Sequence, residues 1–196
     1  MKLGMRGRAA LLAWAVVVAC GLAWTTTHAG ETGAIAAAAA RWPADSTLTR
    51  DANVPTLLFF AHPHCPCTRA SLHELEWILA RSHGNVRALI VFALPKGAGA
   101  GWGQTDIHDL AASLHDATLV DDLGALETHR FSVGLSGTVA VYAPSGELLY
   151  SGGITESRGH EGANAGRDAV LRTLSSRDGA PGLLGRVFGC PLESSK

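Results

Sequence analysis

The chain has 196 residues, enough for one ordinary domain with a sizeable core, since domains commonly run to about 100–200 residues. Its formal charge of −1 hides a division: Lys2, Arg6 and Arg8 are the only charges before residue 30, and the remainder carries 13 basic against 17 acidic groups. A mildly acidic body without a Lys/Arg stripe argues against nucleic acid and against a polybasic membrane-binding face.

A positively charged start is followed by the uncharged run 9–24 and then by Thr25-Thr26-Thr27-His28-Ala29, the pattern of an export signal. Three versions fit: a cleaved signal ending at Ala29, an uncleaved anchor, and a lipoprotein signal with Val17-Val18-Ala19-Cys20 as lipobox. The apolar run is short for a full span, which takes about 20 residues, although the threonines would extend it at the interface. A membrane tether is preferred, and every version puts the rest of the chain outside the cytoplasm, where disulfides persist. Residues 1–29 are therefore read as signal or anchor and 30–53 as a tether packing on or near the domain.

Residues 56–61 form a continuous apolar run behind Pro55, which predicts a buried central strand. Leu72, Leu75, Ile78 and Leu79 recur at helical spacing within 68–81, and Gly84-Asn85 ends the pattern. Between strand and helix lies His62-Pro63-His64-Cys65-Pro66-Cys67, whose two thiols and two imidazoles point to redox or soft-metal chemistry. Residues 86–94 give the next strand. The glycines at 97, 99, 101 and 103 alternate out of register with a dinucleotide fingerprint, so that stretch is a flexible loop carrying Trp102. Thr105-Asp106 caps a helix through Ile107, Leu110, Ala111 and Leu114. A short extended piece at 118–120, a helix over 122–131, a hairpin of 138–142 with 147–151 turning at Ala143-Pro-Ser-Gly146, and a helix over about 166–175 complete the order. Such an order implies an α/β domain, a mixed sheet with helices on both faces, preceded by the N-terminal hydrophobic segment.

The arrangement looks like the thioredoxin fold over roughly residues 54–176. Pro66-Cys67 falls on the Pro-Cys that ends the family's Cys-x-x-Cys, so the family's first cysteine falls on His64 and the sulfur has moved to Cys65. Phe131-Ser-Val-Gly-Leu-Ser-Gly-Thr138 is similar to the segment carrying the family's cis-proline, with Gly137 in the proline's place. The anchor, the His-Pro-x-Cys-Pro-Cys motif, the loop 153–162 and the ending Val187-Phe-Gly-Cys-Pro-Leu192 resemble the small bacterial membrane-associated RedB group. The thioredoxin-like domain is thus set at 54–180, with a C-terminal tail at 181–196.

The resemblance implies a thiol-disulfide oxidoreductase acting on protein thiols and disulfides, on the periplasmic side of a bacterial inner membrane, with no cofactor required. A lipoprotein or a free periplasmic protein is the lesser alternative. Cys65 and Cys67 are the catalytic candidates. Cys65 is taken as the outer attacking sulfur and Cys67 as the resolving one, with the opposite assignment left open. The family's buried proton-transferring acid falls on Leu58, so His62 or His64 is the nearest base. A glycine at 137 leaves an N–H free and removes a ring, making Gly137 and Thr138 substrate-facing in a more open site. A Cys65–Cys67 disulfide would close a small ring across Pro66 and is expected to be easily reduced. Peroxidases on this fold carry a threonine where His62 stands, so the resemblance does not reach peroxide reduction.

The rival expectation uses the same sulfurs. Two thiolates and an imidazole suit Cu(I), or Zn with a fourth ligand, and His160 supported by Glu161 is the distant candidate for a copper-binding or copper-delivery protein. Cys190 has three readings: a free thiol, a bond to one of the motif cysteines, or a third redox centre.

Overall fold

A computed structural model describes residues 4–29, 34–35, 37–99, 101–176 and 182–192. The expected boundary between domain and tail at 180, and part of the tether, lie outside them. Two compact units emerge, 1–32 and 33–196.

The first unit is helix α1 (Met5–Ala29), of which Met5–Thr27 is long and apolar enough to cross a membrane, with mean hydropathy 1.9. Its threonines stay within the helix. The Thr25, Thr26 and Thr27 hydroxyls donate to the carbonyls of Leu22, Ala23 and Trp24 at 2.9–3.0 Å, so their polar groups are satisfied without water.

In the second unit the strands are β1 (Ala34–Ile35), β2 (Thr56–Ala61), β3 (Arg87–Leu94), β4 (Ala117–Leu123), β5 (Thr138–Tyr142), β6 (Leu148–Gly152), β7 (Leu183–Leu184) and β8 (Arg186–Val187). The helices are α2 (Cys67–Ser82), α3 (Asp106–Ala112), α4 (Leu126–Arg130) and α5 (Ala165–Ser175). Six strands make one mixed sheet in the order β4-β3-β2-β5-β6-β7. β2 runs parallel to β3 and antiparallel to β5, and every residue of it is buried, as its unbroken apolar run predicts.

Alternation along β2 divides the core. Leu57, Phe59 and Ala61 meet Leu72, Leu75 and Ile78 of α2, Ile107 and Ala111 of α3 and Val170 of α5. Leu58 and Phe60 face the opposite side, with Phe131, Tyr142, Leu148 and Leu192. That second side is covered partly by residues 37–48. Trp42 sets its ring edge-on against Phe131 and Tyr142, at 5.0 and 5.3 Å between centroids, so this part of the tether belongs to the core.

Two boundaries differ from expectation. The extended piece at 118–120 runs from Ala117 to Leu123 because it pairs with β3 over its whole length, and the helix expected from 122 begins only at Leu126. Asp122 explains the delay, since its carboxylate accepts from the Glu127 and Thr128 N–H groups and the Thr128 hydroxyl, fixing the turn ahead of α4. The strands β7 and β8 are new: β7 pairs with β6, and β8 with β1.

Candidate active site

Strand β2 ends at Ala61, and the chain turns through residues 62–66 before α2 begins at Cys67. The turn is closed by Cys65 N–H donating to His62 O (3.1 Å) and Thr68 N–H donating to Cys65 O (3.0 Å). Pro66 is the N-cap and offers no side-chain acceptor, so the Cys67 N–H at the start of α2 is left for another partner. Cys65, through its sulfur, is that partner. Its side chain is almost wholly buried, and its Sγ lies 3.0 Å from Cys190 Sγ.

Burial pushes the Cys65 thiol up, but hydrogen bonding outweighs it. The Cys190 thiol and N–H, the Thr68 hydroxyl and the Cys67 N–H all act on the sulfur, and its pKa falls below the ordinary thiol value. The Thr68 hydroxyl is itself held in a chain: His62 N–H donates to Ser136 Oγ (3.0 Å), which lies 2.8 Å from Thr68 Oγ1. With Thr68 donating to Cys65, Ser136 is left as the donor to Thr68.

The other two thiols move the opposite way. Burial and the neighbouring charge at Cys65 raise Cys67, with Arg158 pulling against them. Burial, together with the hydrogen bond and charge of Cys65, pushes Cys190 up to about 12. The site therefore eases ionisation at Cys65 and opposes it at Cys67 and Cys190.

Cys190 is delivered by the C-terminal segment, which docks on the loop ahead of β5. Ser136 N–H donates to Cys190 O (2.8 Å), Leu192 N–H donates to Gly134 O (2.9 Å), and Leu135 pairs with Pro191. A Cβ on Gly189 would stand 1.7 Å from Ser136 O, so only glycine allows this approach. Arg158 spans the segment and the helix start, donating from Nη1 to Gly189 O (3.4 Å) while lowering Cys67.

Burial corrects the expectation of an open, substrate-facing site at Gly137 and Thr138. Gly137 adopts φ +87°, accessible to glycine, but its N–H donates to Phe60 O (2.8 Å) and it is buried. Thr138 is fully buried, with its hydroxyl on Leu135 O.

The histidines turn toward Trp102. His62 Nδ1 accepts from His64 N–H (3.2 Å), and His64 Nε2 donates to Trp102 O (2.9 Å). The Trp102 ring lies 5.4 Å from the His62 ring and 4.6 Å from that of His64. Burial, then the neighbouring His64, lowers the His62 pKa. Neither imidazole is among the groups that bond to the Cys65 sulfur.

Residues 153–164, the loop and the cap that follows it, separate their polar side chains. Arg158 goes to the thiols, and Glu161 pairs with His73 (2.8 Å). Asn164 caps α5 by accepting from Arg167 N–H, and His160 is exposed. Among the described residues no group of three or more His, Cys, Asp and Glu is placed to hold a metal ion. His160 therefore does not complete a copper or zinc site with Cys65 and Cys67 here. Thr68 and Ser136 are site residues that motif reading passed over, while Arg158 reaches the site from the loop 153–162 that the resemblance includes. For Ser136 the available signal was its position, immediately before the residue matching the family's proline.

No family model matches the sequence, and no curated protein matches it. Among solved structures, the chain is similar to an uncharacterized conserved protein from Geobacillus kaustophilus, with TM-score 0.59 and 15% identity over 84% of this chain and 92% of that one. A hypothetical protein from Sinorhizobium meliloti gives TM-score 0.57 and 13% identity over 82% and 93% of the two chains. A secreted disulfide oxidoreductase of Mycobacterium tuberculosis gives 0.44 and 17% over 63% and 81%. With β2 parallel to β3, antiparallel to β5, and followed by α2 after the turn that carries Cys65, the chain has the thioredoxin-like fold.

Proposed function

We propose that this protein is a thiol-disulfide oxidoreductase, built on Cys65-Pro66-Cys67, held by α1 at a bacterial inner membrane and acting on protein thiols and disulfides in the periplasm. The observation that carries the reading is the convergence of donors on the Cys65 sulfur at the start of α2. A thiolate is the species that attacks a disulfide and the species that leaves from one, so stabilising it serves exchange in both directions. Exchange needs no cofactor: a protein thiolate attacks a substrate disulfide, one substrate thiol leaves, and a second protein thiol displaces the other. The electrons remain on sulfur throughout.

The test is a peptide-disulfide exchange assay on the reduced full-length protein in detergent, paired with an ultraviolet thiolate titration. The wild type should exchange faster than free glutathione at the same pH, and its first thiolate step should lie below the ordinary thiol value of about 8.5. Cys65→Ser should lose both properties. Exchange no faster than glutathione, or a first step that survives Cys65→Ser, would overturn the reading.

A further inference from the structure

We infer that the disulfide of this centre joins Cys65 to Cys190, and that Cys190, carried by the C-terminal segment, is the sulfur exchanged with substrate. The inference rests on the oxidoreductase reading above and assigns its second sulfur.

Three observations carry it. The Cys65 and Cys190 sulfurs are 3.0 Å apart, so an approach of about 1 Å makes the bond, whose ordinary length is about 2.05 Å. Cys190 is held there by construction: its carbonyl accepts from Ser136, its neighbour Gly189 fits only without a Cβ, and Leu192 is buried in the core beside Phe60 and Phe131. Cys67 also reaches the Cys65 sulfur by a side-chain hydrogen bond, but it is the poorer partner, because Pro66 between the two is already helical (φ −63°, ψ −26°) and a disulfide across one residue held in that conformation departs from preferred geometry.

Exposure and leaving-group chemistry then fix the direction of attack. Cys65 is only 1% exposed, whereas Cys190 is half-buried, so an incoming thiolate meets Cys190 first. Attack on Cys190 expels Cys65, on which the Cys190 N–H, the Thr68 hydroxyl and the Cys67 N–H still converge once Cys190 carries the substrate, and a low-pKa thiol leaves faster. In the oxidised protein, a substrate thiolate bonds to Cys190 Sγ as the Cys65–Cys190 bond breaks and Cys65 departs as thiolate. The second substrate thiol, deprotonated, attacks the substrate sulfur of that mixed disulfide and releases Cys190, which takes up a proton. The substrate dithiol has lost two electrons and two protons. The protein has gained the two electrons and one proton, and the other proton goes to solvent. A more strongly oxidising protein disulfide restores the starting state by the reverse sequence.

The experiment uses the full-length protein in detergent, in a Cys20→Ser background so that the α1 thiol cannot pair. After oxidation with glutathione disulfide and alkylation of free thiols, tryptic peptides are mapped without reduction. The peptide 51–69, carrying both motif cysteines, should be linked to the peptide beginning at Val187, with Cys67 alkylated. Cys67→Ser should retain that link; Cys190→Ser should lose the link and lower exchange to the level of Cys65→Ser. Circular dichroism verifies that each variant is folded, and Cys190→Ala repeats the test should Cys190→Ser misfold. A Cys65–Cys67 bond with Cys190 alkylated, or wild-type exchange in folded Cys190→Ser or Cys190→Ala, would overturn the inference and leave the oxidoreductase reading standing. A Cys65–Cys190 link in a protein that exchanges no faster than glutathione would overturn both the oxidoreductase reading and the exchange role of Cys190.

Discussion

His62 is held neutral by two effects acting together. It is partly buried beside His64, and its Nδ1 lone pair already accepts the His64 N–H, so protonating that nitrogen means giving up the bond. The folded-state pKa is therefore below the unfolded value of about 6.5, and the unfolded chain binds the proton first as pH falls. Stability contributed by neutral His62 should be fully present above about pH 6.5 and should decline through the window down to its depressed folded pKa. Urea unfolding midpoints measured between about pH 7.5 and 5 should fall more steeply for the wild type than for His62→Asn, whose amide oxygen can accept the same N–H without titrating. Equal slopes for the two proteins would remove His62 from the pH dependence. Burial and hydrogen bonding meet at Cys65 as well, and there the donors win.

Between α2 and α5 the contact is not purely apolar. Glu74 is 4% exposed on the inner side of α2; its Oε2 lies 3.0 Å from Arg167 Nη1, and its Oε1 accepts the Gly162 N–H at 2.5 Å. Arg167 also lies over the Trp77 ring, 3.7 Å from its centroid, with Arg81 at the same distance. Glu74→Ala removes one member of a largely buried pair and leaves the other charged, which should cost about 3–5 kcal/mol in urea unfolding. Glu74→Gln keeps an acceptor for Gly162 and should cost less; equal losses would mean that the charge is irrelevant. The apolar spacing of Leu72, Leu75, Ile78 and Leu79 made α2 legible, and the unbroken run 56–61 did the same for β2. β7 and β8 were not legible, because two residues establish no period and their pairing depends on partners far along the chain. The Cys65–Cys190 contact was hidden for a related reason: 125 residues separate the two, and no local pattern records that the Cys190 segment lies against Ser136. Arg158, Glu161 and Asn164 are near neighbours in sequence, but their division among a thiol, a surface pair and a helix cap depends on three different neighbours.

Both apolar clusters are built entirely from residues at or beyond Ala38, so the unit 33–196 contains its own core. Helix α1 offers that core nothing it lacks. It exposes Leu11, Leu12, Trp14, Val16, Val17, Leu22 and Trp24 around its circumference, and a helix apolar on all sides needs lipid or protein to cover it. At about 1.5 Å per residue its 25 residues reach about 38 Å, more than the roughly 30 Å hydrocarbon layer. Deleting residues 1–32 should therefore move the protein from the membrane pellet to the soluble fraction, while the unfolding midpoint and the first thiolate step stay unchanged. The mass and fraction of the exported chain then separate the three versions of its N-terminus: full length in the membrane for an anchor, a soluble chain starting after Ala29 for a cleaved signal, and a membrane-bound chain starting at an acylated Cys20 for a lipoprotein. A truncated protein that still pelleted, or that lost the Cys65 thiolate step, would mean that α1 does more than hold the domain at the bilayer, since nothing in the donor set around Cys65 comes from residues before 62.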